Sequence, residues 1–159
     1  MIPGSEPGVI VLRPDDAARM AFLHKAAFGE VQAWREAAMA ELLQLSSVLA
    51  LGVEGEIGLC ALVLIQRAAS DAEILTLGVA PTARRQGLAS GLIRAAAAML
   101  GQRGTARLLL DVAADNTGAI TFYAQLGFGE DGRRKAYYRR EDGPRVDAVL
   151  MSRSVAGQA

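Results

Sequence analysis

Between Ala80 and Ile93 the chain reads APTARRQGLASGLI. A proline and small residues come first, then two arginines, then a glycine and an alanine two apart. A long alanine- and leucine-rich run follows. This pattern reads as a strand end, a turn and a helix start. The first N–H groups of a helix have no acceptor inside it and lie at the positive end of its dipole. Such a place suits an anion. Gly87 and Ala89 let a bulky phosphate approach the backbone, and Arg84 and Arg85 add positive charge. Two familiar phosphate loops are excluded. No Gly-Lys-Ser/Thr is present, so the lysine and magnesium ligand of a P-loop are missing. Gly87 is the single glycine between Ala80 and Ser90, which rules out G-x-G-x-x-G there. An ordinary strand-to-helix connection has the same local features, and a plain surface role for Arg84 fits them too.

Few other residues stand out. Cys60 is the only cysteine, which excludes an intrachain disulfide and a cysteine zinc cluster. It lies in the apolar run GLCALVLI and reads as packing. His24, the only histidine, falls in the first predicted helix and takes no role. Seventeen Lys and Arg balance 17 Asp and Glu, which argues against a general nucleic-acid binder. The segment RRKAYYRR, Arg133–Arg140, concentrates positive charge beside Tyr137 and Tyr138. There is no basic-then-apolar leader pattern and no apolar run approaching ~20 residues. A soluble cytoplasmic protein without a membrane partner is the expectation.

The elements that must hold these residues follow from pattern. Val9–Arg13 is a short apolar run. Pro14 to Phe28 reads as a helix with Pro14, Asp15 and Asp16 in its first turn. Ala33–Leu45 is a second helix, with Trp34 on it as core packing or a cover for the site. Two strands around SVLALGV and IGLCALVLIQRA flank the turn EGEIG, and Ala72–Val79 is the next strand, leading into the loop. Arg85–Arg103 is predicted as a long helix stopped by Gly101 and Gly104. ARLLLDVAA is a nearly continuous apolar strand, expected to be buried on both faces. Asn116 caps a helix over Thr117–Leu126, which Gly127 ends. Two more strands surround Lys135–Arg139 and Val146–Ser152. With 52% hydrophobic and 21% charged residues, the 159-residue chain is expected to be one α/β domain, its core about 9–152.

The run Arg84-x-x-Gly87-x-Ala89 resembles the Gln/Arg-x-x-Gly-x-Gly/Ala signature of the Gcn5-related N-acetyltransferases (GNATs). NTGAITFYAQLGF, Asn116 to Phe128, resembles that family's Asn-x-x-Ala-x-x-x-Tyr-x-x-x-Gly-Phe. Both occur in the family's order. More narrowly, GRRKAYYRREDGPRVDAVLM and LLLDVAADN are similar to segments of bacterial ribosomal-protein-alanine N-acetyltransferases.

The resemblance implies a mixed, mostly antiparallel sheet flanked by helices, and acetyl-CoA without a metal. It implies that Arg84, Arg85, Gln86, Gly87, Leu88, Ala89 and Ser90 hold the coenzyme's pyrophosphate. Leu77, Gly78 and Val79 would offer strand backbone to the thioester and pantetheine, and Asn116 would bond to the coenzyme. Glycine in a strand often marks a bulge or a ligand's close approach, which suits Gly78. Tyr123 would protonate the leaving thiolate; a phenol of pKa ~10 still carries its proton at neutral pH. Packing of a short helix is the plainer reading of Tyr123. Asp111 stands where the subfamily has glutamate, as the base, with a structural role as the alternative. Ala113 replaces a basic residue. An α-amino group of pKa ~8 costs only ~1.3 kcal/mol to deprotonate at pH 7, and a lysine of ~10.4 costs ~4.6. The weak base therefore favours a protein or peptide N-terminus, and the resemblance implies that of a ribosomal protein, with no direct nucleic-acid contact expected. An acetyltransferase for a small amine and a non-catalytic CoA-binding domain are the alternatives.

Overall fold

The computed structural model describes residues 8–156. Seven strands form one sheet: β1 (Val9–Val11), β2 (Val48–Gly55), β3 (Gly58–Ala68), β4 (Asp71–Val79), β5 (Arg107–Ala113), β6 (Gly129–Arg140) and β7 (Gly143–Ser154). Four α-helices join them: α1 (Ala17–Phe28), α2 (Glu36–Leu43), α3 (Leu88–Gln102) and α4 (Thr117–Gln125). The strand order is β1-β2-β3-β4-β5-β7-β6, antiparallel except for the β4–β5 pair. The element order matches that read from the sequence. Several boundaries differ, each for a local reason.

Pro14–Asp16 is a short 3₁₀ turn before α1, and Asp16 Oδ2 accepts the Arg13 N–H at 2.7 Å. Helix α2 starts at Glu36, not Ala33, because the Trp34 N–H is turned aside to His24 Nδ1 and Arg35 is extended. Trp34 thus precedes the helix and packs on the core beneath it. Helix α3 starts at Leu88, because Arg85 (φ 63°) and Gly87 (φ 77°) turn the chain left-handed first. It runs through Gly101, and Gly104 at φ 88° follows its end.

The sheet separates two apolar layers. On one face α3 and α4 pack on alternate residues of the strands from Val9 to Met151, with Leu92, Ile93 and Leu100 fully buried. On the other, Met20, Leu23 and Met39 from α1 and α2 cover Ala50, Leu62 and Leu64. That second layer draws its buried strand residues from β2 and β3, with Leu75 of β4 at its margin. So β5 is not buried on both faces as expected. Leu108, Leu110 and Val112 are buried, while Leu109, Asp111 and Ala113 alternate with them as half-buried residues.

Strands β4 and β5 pair only over Asp71–Glu73 with Arg107–Leu109. Beyond that the register ends, although β4 continues to Val79 and β5 to Ala113. The two strands diverge and leave a cleft between them. A bulge in β4 shapes one wall. Ile74 pairs with Ile65 and Thr76 with Leu64, so Leu75 is the extra residue. An extra residue reverses which face the following side chains meet. Ile74 and Leu77 therefore both pack toward α3, whereas Thr76 and Gly78 meet α1.

Candidate active site

The diverging strands frame two adjoining hollows. The first, about 860 Å³, is lined by Leu77–Val79, Arg84, Arg85, Gly87–Ser90, Asn116 and Tyr123 among others. The second, about 1330 Å³, is lined by residues 29–32, Asp111–Ala113, Asn116 and the β6–β7 hairpin from Tyr138 to Asp142. Phe28 and Asn116 border both. Of the residues that the sequence assigned to the coenzyme or to catalysis, Gln86 alone lines neither hollow, and Asp111 and Tyr123 stand in different ones.

The phosphate-like feature lies at the start of α3. Gly91 N–H to Gly87 O is the first helical bond, at 3.0 Å, so the N–H groups of Leu88, Ala89 and Ser90 lie before the ladder begins. No side chain caps this end. A Cβ on Gly87 would meet nothing within 4 Å, so the loop is open there, and Arg85 beside it is exposed. Open N–H groups, a bare glycine and a guanidinium form a donor set that fits a pyrophosphate. Arg84 is engaged differently: its guanidinium donates to Val79 O at 3.4 Å and Ala27 O at 3.1 Å. It ties the end of β4 to the end of α1.

Gly78 is also explained by α1. A Cβ there would lie 3.0 Å from Phe28 Cε2 and 3.4 Å from Ala27 Cβ. The close approach is a helix and its aromatic ring, and the bulge lies three residues earlier. His24, which the sequence left without a role, is buried behind that ring. Its ring centroid is 4.4 Å from that of Phe28, and Trp34 stacks on it at 5.3 Å. Nδ1 accepts the Trp34 N–H at 3.2 Å, which leaves the proton of the neutral ring on Nε2 to be donated to Thr76 Oγ1 at 2.9 Å. Burial holds the His24 pKa below its usual value.

Tyr123 projects from α4, edge-on to Phe122 at 5.1 Å and Phe128 at 5.5 Å. Burial pushes its hydroxyl up to about 12. Asn116 Oδ1 caps α4 by accepting the Ala119 N–H at 3.2 Å. Asp111, on the open face of β5, lies near Tyr138, whose hydroxyl is raised by burial, then by the charge of Asp111. Arg140 grips Asp115 through Nε at 3.2 Å and Nη2 at 2.7 Å, fixing the hairpin to the turn before α4. Cys60 is half-buried, donates to Val53 O, and has its thiol pKa raised by burial. Among the described residues no group of three or more His, Cys, Asp or Glu could hold a metal. No helix among them is long and apolar enough to cross a membrane.

A sequence model of the acetyltransferase (GNAT) family matches residues 17–128, which includes α1, the divergent strand pair, α3 and α4. The chain belongs to that family. This GNAT chain is 37% identical over 94 residues to the ribosomal protein bS18-alanine N-acetyltransferase of Escherichia coli (strain K12). The match spans 59% of this chain and 63% of that protein, just under two thirds of the relative's length. It is also 39% identical over 56 residues to a mycothiol acetyltransferase of Renibacterium salmoninarum, 35% of this chain and 17% of that one. In three dimensions it superposes on the E. coli ribosomal-protein-S18-alanine N-acetyltransferase with a TM-score of 0.85 at 28% identity, covering 95% of each chain. Arabidopsis thaliana NAA60, solved with acetyl-CoA, shares the fold: TM-score 0.76, 20% identity, 92% of this chain and 97% of that one.

Proposed function

We propose that the protein is an acetyl-CoA-dependent N-acetyltransferase, and that its acceptor is the N-terminal amine of a protein such as a ribosomal protein. The observation that carries this reading is the double hollow at the β4–β5 divergence. One side presents a donor set for a pyrophosphate, and the other presents a carboxylate to an amine. When bound, acetyl-CoA supplies an acetyl group activated as a thioester. Arg85 and the Gly87–Ser90 backbone hold the phosphates, with Gln86 exposed on the same loop. The backbone of Leu77–Val79, free of a β5 partner, offers donors where carbonyl charge develops. Asp111 takes a proton from the amine, directly or through one water. Tyr123 keeps its proton at neutral pH and gives it to the departing sulfur. The C–S bond breaks as the N–C bond forms, and no enzyme-bound acyl group is required.

The size of the second hollow supports a peptide over a small amine. At about 1330 Å³ it exceeds the ~300–1,000 Å³ typical of small-ligand pockets. Its rim is a β-hairpin, against which an extended chain can lie. The likeness to the E. coli bS18-alanine enzyme supports a ribosomal-protein acceptor and a cytoplasmic setting. Competition between two peptides of one sequence tests the reading. One has a free N-terminus; the other is blocked there and carries an accessible lysine. The free N-terminus is expected to win. Preference for the blocked peptide, or activity with free small amines alone, would exclude a protein N-terminus while retaining acetyl transfer.

A further inference from the structure

We infer that Phe28 sets how large an acyl group this site transfers, a role that rests on the acyl-transfer reading above. An acyl group must pass from the coenzyme hollow to the acceptor hollow, and only Phe28 and Asn116 border both. Asn116 is committed as the cap of α4. Phe28 is the apolar wall at the crossing. Its ring lies against the bare Cα of Gly78, on the strand whose backbone lines the coenzyme side. Any side chain on residue 78 would displace the ring, since even a Cβ would come within 3.0 Å of it. From behind, the His24 ring packs at a tilt against Phe28, 4.4 Å between centroids, and is itself fixed by Thr76 and the Trp34 N–H. The ring is therefore a braced wall, and its position bounds the space for an acyl tail. One methylene in an apolar pocket is typically discriminated by ~10–200-fold. Phe28 is a specificity-determining residue on this view, and His24 is the positioning residue that holds it.

The test compares kcat/KM for acetyl-, propionyl- and butyryl-CoA in the wild type and in Phe28→Ala, Phe28→Leu and Gly78→Ala. Each is run with acceptor peptides beginning in glycine, alanine or leucine. The wild type is expected to favour acetyl-CoA. Phe28→Ala is expected to raise the butyryl-to-acetyl ratio by about 10-fold or more, and Phe28→Leu by less. Gly78→Ala sets a methyl 3.0 Å from the ring; it is expected to crowd the ring toward the cleft and to lower the propionyl-to-acetyl ratio. These opposite directions separate the effect from loss of fold, and Phe28→Leu with Gly78→Ala decides the matter if Phe28→Ala does not fold. Unchanged donor ratios, or a change confined to acceptor choice, overturn the role of Phe28. Failure of the wild type to transfer from any donor overturns the proposed function, and this role with it.

Discussion

Tyr123 and His24 are both shaped by burial, with opposite consequences. Burial disfavours the charged form, so the tyrosine hydroxyl rises to about 12 while the histidine pKa falls. Tyr123→Phe is expected to slow acetyl transfer by ~10²–10⁴-fold, with little change in acetyl-CoA affinity. Single-turnover rates and a binding titration check this, and an unchanged rate would leave Tyr123 as packing. For His24 the effect is on stability. The unfolded chain takes up a proton near pH 6.5, before the folded chain does. Stability is therefore whole above that pH and declines as pH falls below it. Thermal unfolding of His24→Gln between pH 7 and 5 is expected to show a smaller loss than the wild type over the same range. The Asn116 cap and the helix that carries Tyr123 were legible because their signals are local: a capping side chain, an apolar run and a closing glycine. His24 carried no such signal, because its partner Thr76 is 52 residues away and depends on how α1 docks.

The loop before α3 shows what a single element contributes. Gly87 has φ 77°, a left-handed conformation costing other residues ~1–2 kcal/mol, and open space where a Cβ would be. Gly87→Ala is expected to lower stability by about that amount and to retain coenzyme binding. Gly87→Glu is expected to lower stability similarly and also to lose coenzyme affinity, since its charge faces the phosphates. Melting curves and titration of both variants separate strain from site. Equal affinity in Gly87→Glu and wild type would remove the loop from the phosphate site. Most elements were legible because period-2 and period-3.6 apolar patterns mark them directly. The β4 bulge was not, since an extra residue in a strand is defined only by its partner's register. The one-sided burial of β5 was also missed, although the aspartate within LLLDVAA interrupts the apolar run where the strand faces the cleft.

Across the whole molecule, the unread feature was how far β4 and β5 stay together. Each strand's sequence suits a full partner, and nothing in either one marks where pairing stops. The divergence depends on what covers each face. The α3 and α4 layer spans both sides of the cleft, whereas the α1 and α2 layer centres on β2 and β3. Three residue pairs between β4 and β5, with the Ala106 N–H to Ser70 O bond beside them, therefore carry the backbone connection between β1–β4 and β5–β7. That short seam makes the sheet two plates on a hinge. Their opening angle is expected to be a soft coordinate, held mainly by the apolar layer that α3 and α4 lay across both plates. A coenzyme lying between the plates acts as a wedge that fixes the angle, so the protein should breathe less when loaded. Amide exchange in Leu77–Val79 and Asp111–Ala113 is expected to slow on CoA binding, while exchange in β1 and β2 stays as it was. Uniform slowing, or none at the cleft, would mean that the plates move as one body and that the hinge is already locked before any ligand arrives.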